Sequence, residues 1–171
     1  MKLEDVMKPS NTDEWKTHKQ TVELIVPYLI KNGYKRILCP FDREDSNFVI
    51  ILRQHGLDVT CSHIATGTDF FDIENLSDYD AVVSNPPFSK RQEVLYRLFE
   101  ADVPFAIIVN SIGLFDSKGR YELFKNNEFE LLIPNGRIKF FNDNMIGKSP
   151  NFQSIFVCKK MATRQIEFIG I

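Results

Sequence analysis

The sequence predicts an α/β fold: an open sheet with helices on both faces and an antiparallel hairpin at its C-terminal end. Three observations carry this expectation. Short apolar runs at 36–40, 81–83 and 103–110 have the length and residue types of strands buried on both faces. Between them lie stretches whose apolar residues recur at helical spacing, such as Phe48, Val49, Ile51 and Leu52, and then Val94, Leu95, Leu98 and Phe99. Near the C-terminus the pattern changes to a turn signal, Asn135-Gly136, a polar loop and one more apolar run at 153–158, which reads as a hairpin.

Composition sets limits on partners. At 171 residues, with 43% hydrophobic and 26% charged residues, the chain is expected to be one domain over 13–171, preceded by a flexible arm at 1–12. A net charge of −2 gives no global attraction to nucleic acid, so any such binding must come from a local patch. No apolar run has the length needed to cross a membrane, and Met1-Lys2-Leu3-Glu4-Asp5 lacks the apolar centre of a signal peptide, so a cytoplasmic location is expected. Cys39, Cys61 and Cys158 are odd in number and set in apolar runs, which points to reduced core thiols. His18, His55 and His63 show no ligand spacing, and no metal site is expected.

Taken in order, the arm ends in Pro9-Ser10-Asn11-Thr12, where Asn11 or Thr12 suits a helix cap. Val22, Leu24, Ile25, Val26, Leu29 and Ile30 predict a helix that stops at Asn32-Gly33. The strand at 36–40 is followed by a turn, Phe41 to Ser46, and by a helix ending at His55-Gly56. This strand-turn-helix order is where an open α/β sheet binds ligands, outside the carboxyl ends of its strands. A strand is expected at 58–64, with His63 as a satisfied polar residue. After the strand at 103–110 come a loop at Ser111-Ile112-Gly113, a short helix around 121–125 and a strand at 129–133.

The most specific stretch closes the strand that begins at Ala81. Ser84-Asn85-Pro86-Pro87 stops the apolar run abruptly, so Asn85 sits at a strand end. Adjacent prolines donate no backbone hydrogen bonds and hold φ near about −65°, which makes the turn stiff. The Asn85 amide oxygen and the Pro86 carbonyl can both accept from an exocyclic NH₂ while Phe88 stacks on the ring that carries it. A plain turn between strand and helix is the alternative. At ~5% proline a specified Pro-Pro pair arises by chance at roughly one position in 400, before Asn and an aromatic are also required. Ser89 or Lys90 then opens a helix.

Asn85-Pro86-Pro87-Phe88 resembles the Asn-Pro-Pro-Phe motif of the amino-methyltransferases that use S-adenosylmethionine, above all the DNA adenine-N6 methyltransferases. Three further stretches share the resemblance, which spans about residues 13 to 160. Asp13-Glu14-Trp15-Lys16-Thr17 is similar to the Asp-Glu-Trp-x-Thr stretch of phage adenine methyltransferases. Cys39-Pro40-Phe41-Asp42 resembles the glycine-free turn of the subgroup that includes EcoRI-type and related phage enzymes. Gly67-Thr68-Asp69-Phe70 resembles the family's Gly-x-Asp-Phe segment.

The resemblance implies a Rossmann-like methyltransferase sheet and S-adenosylmethionine as cofactor, held by Thr17, Pro40, Phe41, Asp42, Asp69, Phe70 and Asn85. It implies catalysis at Asn85, Pro86, Pro87 and Phe88; Asp42 reads either as an acceptor for the methionyl ammonium or as a solvated loop acid. The implied reaction is methylation of adenine N6 in duplex DNA, with the target base flipped out, by an enzyme of phage or restriction-modification type. Lys90, Arg91, Arg137, Lys139 and Lys148 are the candidate nucleic-acid contacts. RNA or protein-glutamine methylation, or a binding module that keeps the fold without the activity, are the alternatives.

Overall fold

The computed structural model describes residues 15–141 and 151–170. The elements in chain order are β1 (Lys16–Thr17), α1 (Lys19–Glu23), α2 (Val26–Lys31), β2 (Arg36–Cys39), α3 (Asn47–Gln54) and β3 (Asp58–Cys61). They continue with β4 (Ala81–Ser84), α4 (Arg91–Ala101), β5 (Phe105–Asn110), α5 (Lys118–Lys125), β6 (Glu130–Pro134), β7 (Phe140–Phe141), β8 (Ser154–Lys159) and β9 (Ile166–Ile169). Seven strands form one sheet in the order β3-β2-β4-β5-β8-β6-β9, and β1 pairs with β7 in a separate antiparallel ribbon. β3, β2, β4 and β5 are parallel, β8 is antiparallel to both β5 and β6, and β9 is parallel to β6.

Strand alternation builds two cores, one on each face. Ile37, Cys39, Ala81, Val83, Ala106 and Ile108 point to the side covered by α1, α2 and α3, where they meet Val22, Leu29, Phe48 and Leu52. Leu38, Val82, Phe105, Ile107 and Val109 point the other way, against Val94, Leu95 and Leu98 of α4 and Leu123 and Phe124 of α5. Helices on both faces leave the carboxyl ends of the strands as the open side. From β2 the chain goes outward to β3 and then back past β2 to β4, so the strand order reverses there. Such a switch point opens a crevice above the sheet.

Several expectations change in detail. The helix expected over Val22 to Ile30 is two helices, because Pro27 in the first turn of α2 has no N–H to continue the ladder. Leu24, Ile25 and Tyr28 instead bond three residues back, to Thr21, Val22 and Ile25. The strand expected at 58–64 ends at Cys61. His63 turns out of it to cap a 3₁₀ turn (Ile64–Thr66), its Nδ1 accepting from the Ala65 N–H at 2.9 Å. Two more 3₁₀ turns, Phe70–Asp72 and Leu76–Asp78, fill the connection to β4.

The C-terminal antiparallel pair is present, formed by β6 and β8. Phe140-Phe141 does not join it: Phe141 faces Lys16 and Phe140 faces Thr17 across the β1–β7 ribbon. Nor does 153–158 close the sheet, since β9 adds an edge strand beside β6. The arm at 1–12 with its Asn11 or Thr12 cap, Asp13-Glu14, and the polar loop carrying Lys148 lie outside the described residues. No helix among the described residues is long and apolar enough to cross a membrane.

Candidate functional site

A cavity of about 490 Å³ opens where β2 and β4 end. That volume suits a small organic ligand. Four segments line it: Trp15 with Lys16 and Thr17 of β1; residues 40–46 after β2, Glu44 excepted; His63, Ile64 and residues 69–71 after β3; and residues 85–90 after β4. Thus Thr17, Pro40, Phe41, Asp42, Asp69, Phe70, Asn85, Pro86, Pro87, Phe88 and Lys90, drawn from stretches far apart in sequence, surround one space.

Asn85 follows the last residue of β4, a strand with all four residues buried. Its Nδ2 donates to the Trp15 carbonyl at 3.2 Å, and its Oδ1 is buried without a hydrogen bond among the described residues. A carbonyl can only accept, so Trp15 fixes which way round the amide sits. Thr17 is 4% exposed, and its Oγ1 is likewise unpartnered among the described residues. A buried polar atom left without a partner costs about 1–3 kcal/mol, and two of them line one cavity. Ser154 Oγ is a further such atom and lies outside the lining.

Asp42 is buried, with its backbone N–H donating to the Ser62 carbonyl at 3.1 Å. Its carboxyl accepts from Ser46 Oγ at 2.5 Å and Ser84 Oγ at 2.6 Å. Burial pushes its pKa up to about 6, and the two hydroxyls only partly offset that rise. Ser46 also caps α3, accepting from the Phe48 N–H at 3.2 Å. Above them, Lys16 pairs with Asp45 at 3.5 Å and Asn47 Nδ2 donates to the Thr17 carbonyl at 2.8 Å, which fastens β1 across the mouth.

Asp69 is half-buried and caps the 3₁₀ turn Phe70–Asp72, its Oδ1 accepting from the Phe71 N–H at 3.0 Å. Its other carboxylate oxygen takes no hydrogen bond among the described residues. Phe70 touches the cavity but is 1% exposed, packed 5.1 Å from the Phe41 ring and beneath the Arg97 guanidinium. Arg97 also donates to the Phe70 and Ile73 carbonyls, so this segment is firmly held. The larger apolar areas at the rim belong to Ile64, 71% exposed, and Phe71.

Beyond Asn85, Pro86 is buried and Pro87 heads a 3₁₀ turn (Phe88–Lys90), its carbonyl accepting from the Lys90 N–H at 2.9 Å. Phe88 is half-buried and meets Phe140 and Phe152 edge to face, with ring centroids 6.2 and 5.8 Å away. Among the basic candidates, Lys90 is exposed at the cavity. Arg91 donates to the Asn110 and Ile112 carbonyls at 2.7 and 3.2 Å, clamping the loop after β5 to the motif turn. Arg137 and Lys139 are exposed and lie away from the lining, on the segment entering β7. Lys148 is outside the described residues, and no cluster of three or more His, Cys, Asp or Glu among them could hold a metal ion.

Sequence reasoning misses Ser46, Ser84, Ile64 and Phe71 as site residues. Ser84 alone carries a usable signal, a hydroxyl closing an otherwise apolar buried strand.

A largely parallel sheet with helices on both faces, and a cavity at its strand ends, is an open, Rossmann-like α/β fold. No family model and no curated protein matches the sequence. Among solved structures, the methyltransferase subunit of a type I restriction-modification system from Streptococcus thermophilus is similar with a TM-score of 0.50. The two are 12% identical over 91% of this chain and 47% of that one, so the chain spans about half the subunit's length. Precorrin-6y C5,15-methyltransferase from Geobacter metallireducens aligns at TM-score 0.43 and 13% identity, covering 86% of this chain and 94% of that one. At such identities the likeness is one of fold, and a fold of this kind hosts many chemistries.

Proposed function

We propose that the chain transfers a methyl group from S-adenosylmethionine to the N6 amine of adenine in DNA, as an enzyme of phage or restriction-modification type. The observation that carries this reading is the Asn85 amide. Its nitrogen is tied to the Trp15 carbonyl, so what the amide of this cavity-lining residue has left to offer is its buried Oδ1, unpartnered among the described residues. An acceptor of that kind suits an NH₂ group and repels a carbonyl.

An amine conjugated to a purine is a poor nucleophile because its lone pair is delocalised. Two acceptors, Asn85 Oδ1 and the Pro86 carbonyl, hold its hydrogens so that the pair is localised and aimed. Phe88 stacks on the flipped base, contributing ~1–3 kcal/mol against a flipping cost of a few kcal/mol. The cavity residues suit the cofactor: among the described residues Asp42 has no cationic partner, and Thr17 Oγ1 and one oxygen of Asp69 take no hydrogen bond. When bound, S-adenosylmethionine supplies an electrophilic methyl on a sulfonium.

The test is tritiated methyl transfer to DNA, RNA and protein fractions side by side. DNA is expected to take the label, and Asn85→Ala to lower turnover by about 10² to 10³, far more than it weakens cofactor affinity measured by calorimetry. Asn85→Asp keeps an acceptor and retains part of the activity. Parent-rate methylation by a folded Asn85→Ala sinks the reading, and label in RNA or protein alone redirects the acceptor.

A further inference from the structure

Two buried carboxylates stand out among the described residues, and only one has the backbone for partners. Among the described residues, Asp42, 9% exposed, has neither a cation nor a backbone N–H on its carboxyl, only the hydroxyls of Ser46 and Ser84. Ser84 is 0% exposed, and its single hydroxyl proton goes to Asp42 Oδ2 at 2.6 Å. Ser84 also directly precedes Asn85. One hydrogen bond therefore links the loop after β2 to the strand end that presents the amide.

We propose that Ser84 is a positioning residue for Asp42: its hydroxyl aims the carboxyl at the cationic amino-acid end of the cofactor, so that cofactor uptake releases one proton. The inference rests on the function proposed above. Before a cation arrives, burial lets the carboxyl keep its proton well above the usual carboxylate range. An arriving ammonium favours the carboxylate, and the proton leaves to solvent.

The surrounding charges do not supply that compensation beforehand. Arg43 and Asp45 belong to Asp42's own loop, and Asp45 is paired with Lys16 of β1. Cys39 on β2 and Cys61 on β3 lie close by, both with thiol pKa values raised, chiefly by burial. Cys61 donates to Glu44, which pairs with Arg53. His63 and Asp69 face the cavity from beyond β3, and Lys90 from beyond β4. Among the described residues the Asp42 carboxyl takes its hydrogen bonds from Ser46 and Ser84.

Calorimetry between pH 5 and pH 7.5, in buffers of different ionisation heat, counts the protons released on binding. With the parent protein, S-adenosylmethionine is expected to bind more tightly as pH rises towards 7, releasing up to one proton below pH 6 and little at pH 7.5. The probe 5′-methylthioadenosine, which lacks the amino-acid end, should release none. Ser84→Ala should weaken S-adenosylmethionine about tenfold at pH 7, extend proton release to higher pH and leave the probe's affinity unchanged.

Equal weakening of both ligands with an unaltered proton count would mean that Ser84 only supports the fold, and overturns the inference. Should Ser84→Ala fail to fold, Asp42→Asn decides: the inference requires that its proton release disappear. Binding by the parent protein without proton release overturns this inference and leaves the proposed function standing. No binding at any pH overturns both.

Discussion

Asp42 and Glu130 are each 9% exposed, yet the fold treats them in opposite ways. Glu130, at the start of β6, accepts from three backbone N–H groups of the turn between β8 and β9: Lys160 at 3.2 Å, Met161 at 2.7 Å and Ala162 at 2.8 Å. Lys160 takes a positive φ of 56°, an uncommon conformation for a residue with a side chain, which this carboxylate helps to hold. Asp42 has two hydroxyls, which can rotate away, and a pKa raised to about 6. Equal burial thus hides unequal availability. A carboxylate wrapped in backbone amides cannot leave them without opening the turn, whereas one held by side-chain hydroxyls can still take a cation.

The sharpest way to break this contrast is at Glu130. Glu130→Ala leaves three buried or half-buried N–H groups without their acceptor and should cost about 3 kcal/mol in urea unfolding. The folded fraction should bind S-adenosylmethionine within about twofold of the parent. A large loss of affinity at unchanged stability would show that Glu130 also serves the site.

Asp42→Asn should act in the reverse sense, raising stability while weakening, but not abolishing, cofactor binding. Below about pH 3 the Asp42 carboxyl is protonated in folded and unfolded chains alike and carries no penalty. Because its pKa rises from 3.8 to about 6 on folding, the stability present at low pH is lost as pH climbs through 6. That loss is on the order of 2–3 kcal/mol. Asp42→Asn should therefore be the more stable protein at pH 7.5, with the advantage gone by about pH 3. Equal stability of the two at both pH values would remove the buried, uncompensated charge from the account.

Asp69 tests whether a single carboxylate can serve both turn and ligand. Asp69→Asn keeps an acceptor for the Phe71 N–H and removes the charge, so stability should hold while cofactor affinity falls about tenfold. Unchanged affinity would leave Asp69 as a cap alone. The smallest effect concerns the exposed cations away from the cavity. If Arg137 and Lys139 contact duplex phosphates, each change to Ala should reduce the log-log salt slope of DNA binding by about 0.9. A slope that stays put would move the DNA footprint elsewhere.

What the sequence by itself determined is local in origin. Buried parallel strands announce themselves as unbroken apolar runs, and α3 and α4 as helical spacing, because both patterns follow from backbone geometry within a few residues. Two prolines after Asn85 dictate a strand end and a stiff turn wherever they occur. The sequence also named most of the residues that surround the cavity, since strand-to-helix turns converge at the carboxyl ends of any parallel sheet. Only the tertiary structure decided which atoms meet. The Trp15 carbonyl that orients the Asn85 amide lies 70 residues before it, and Ser84 lies 42 residues beyond Asp42. β1 and β7 are two residues each and become strands only by pairing across the length of the chain. Even the adjacent Phe70 and Phe71 divide their roles by packing, with Phe70 drawn into the core under Arg97 and Phe71 turned out to the rim. A hydrogen bond between distant residues leaves no periodicity in the sequence, because its partners are brought together by the whole sheet.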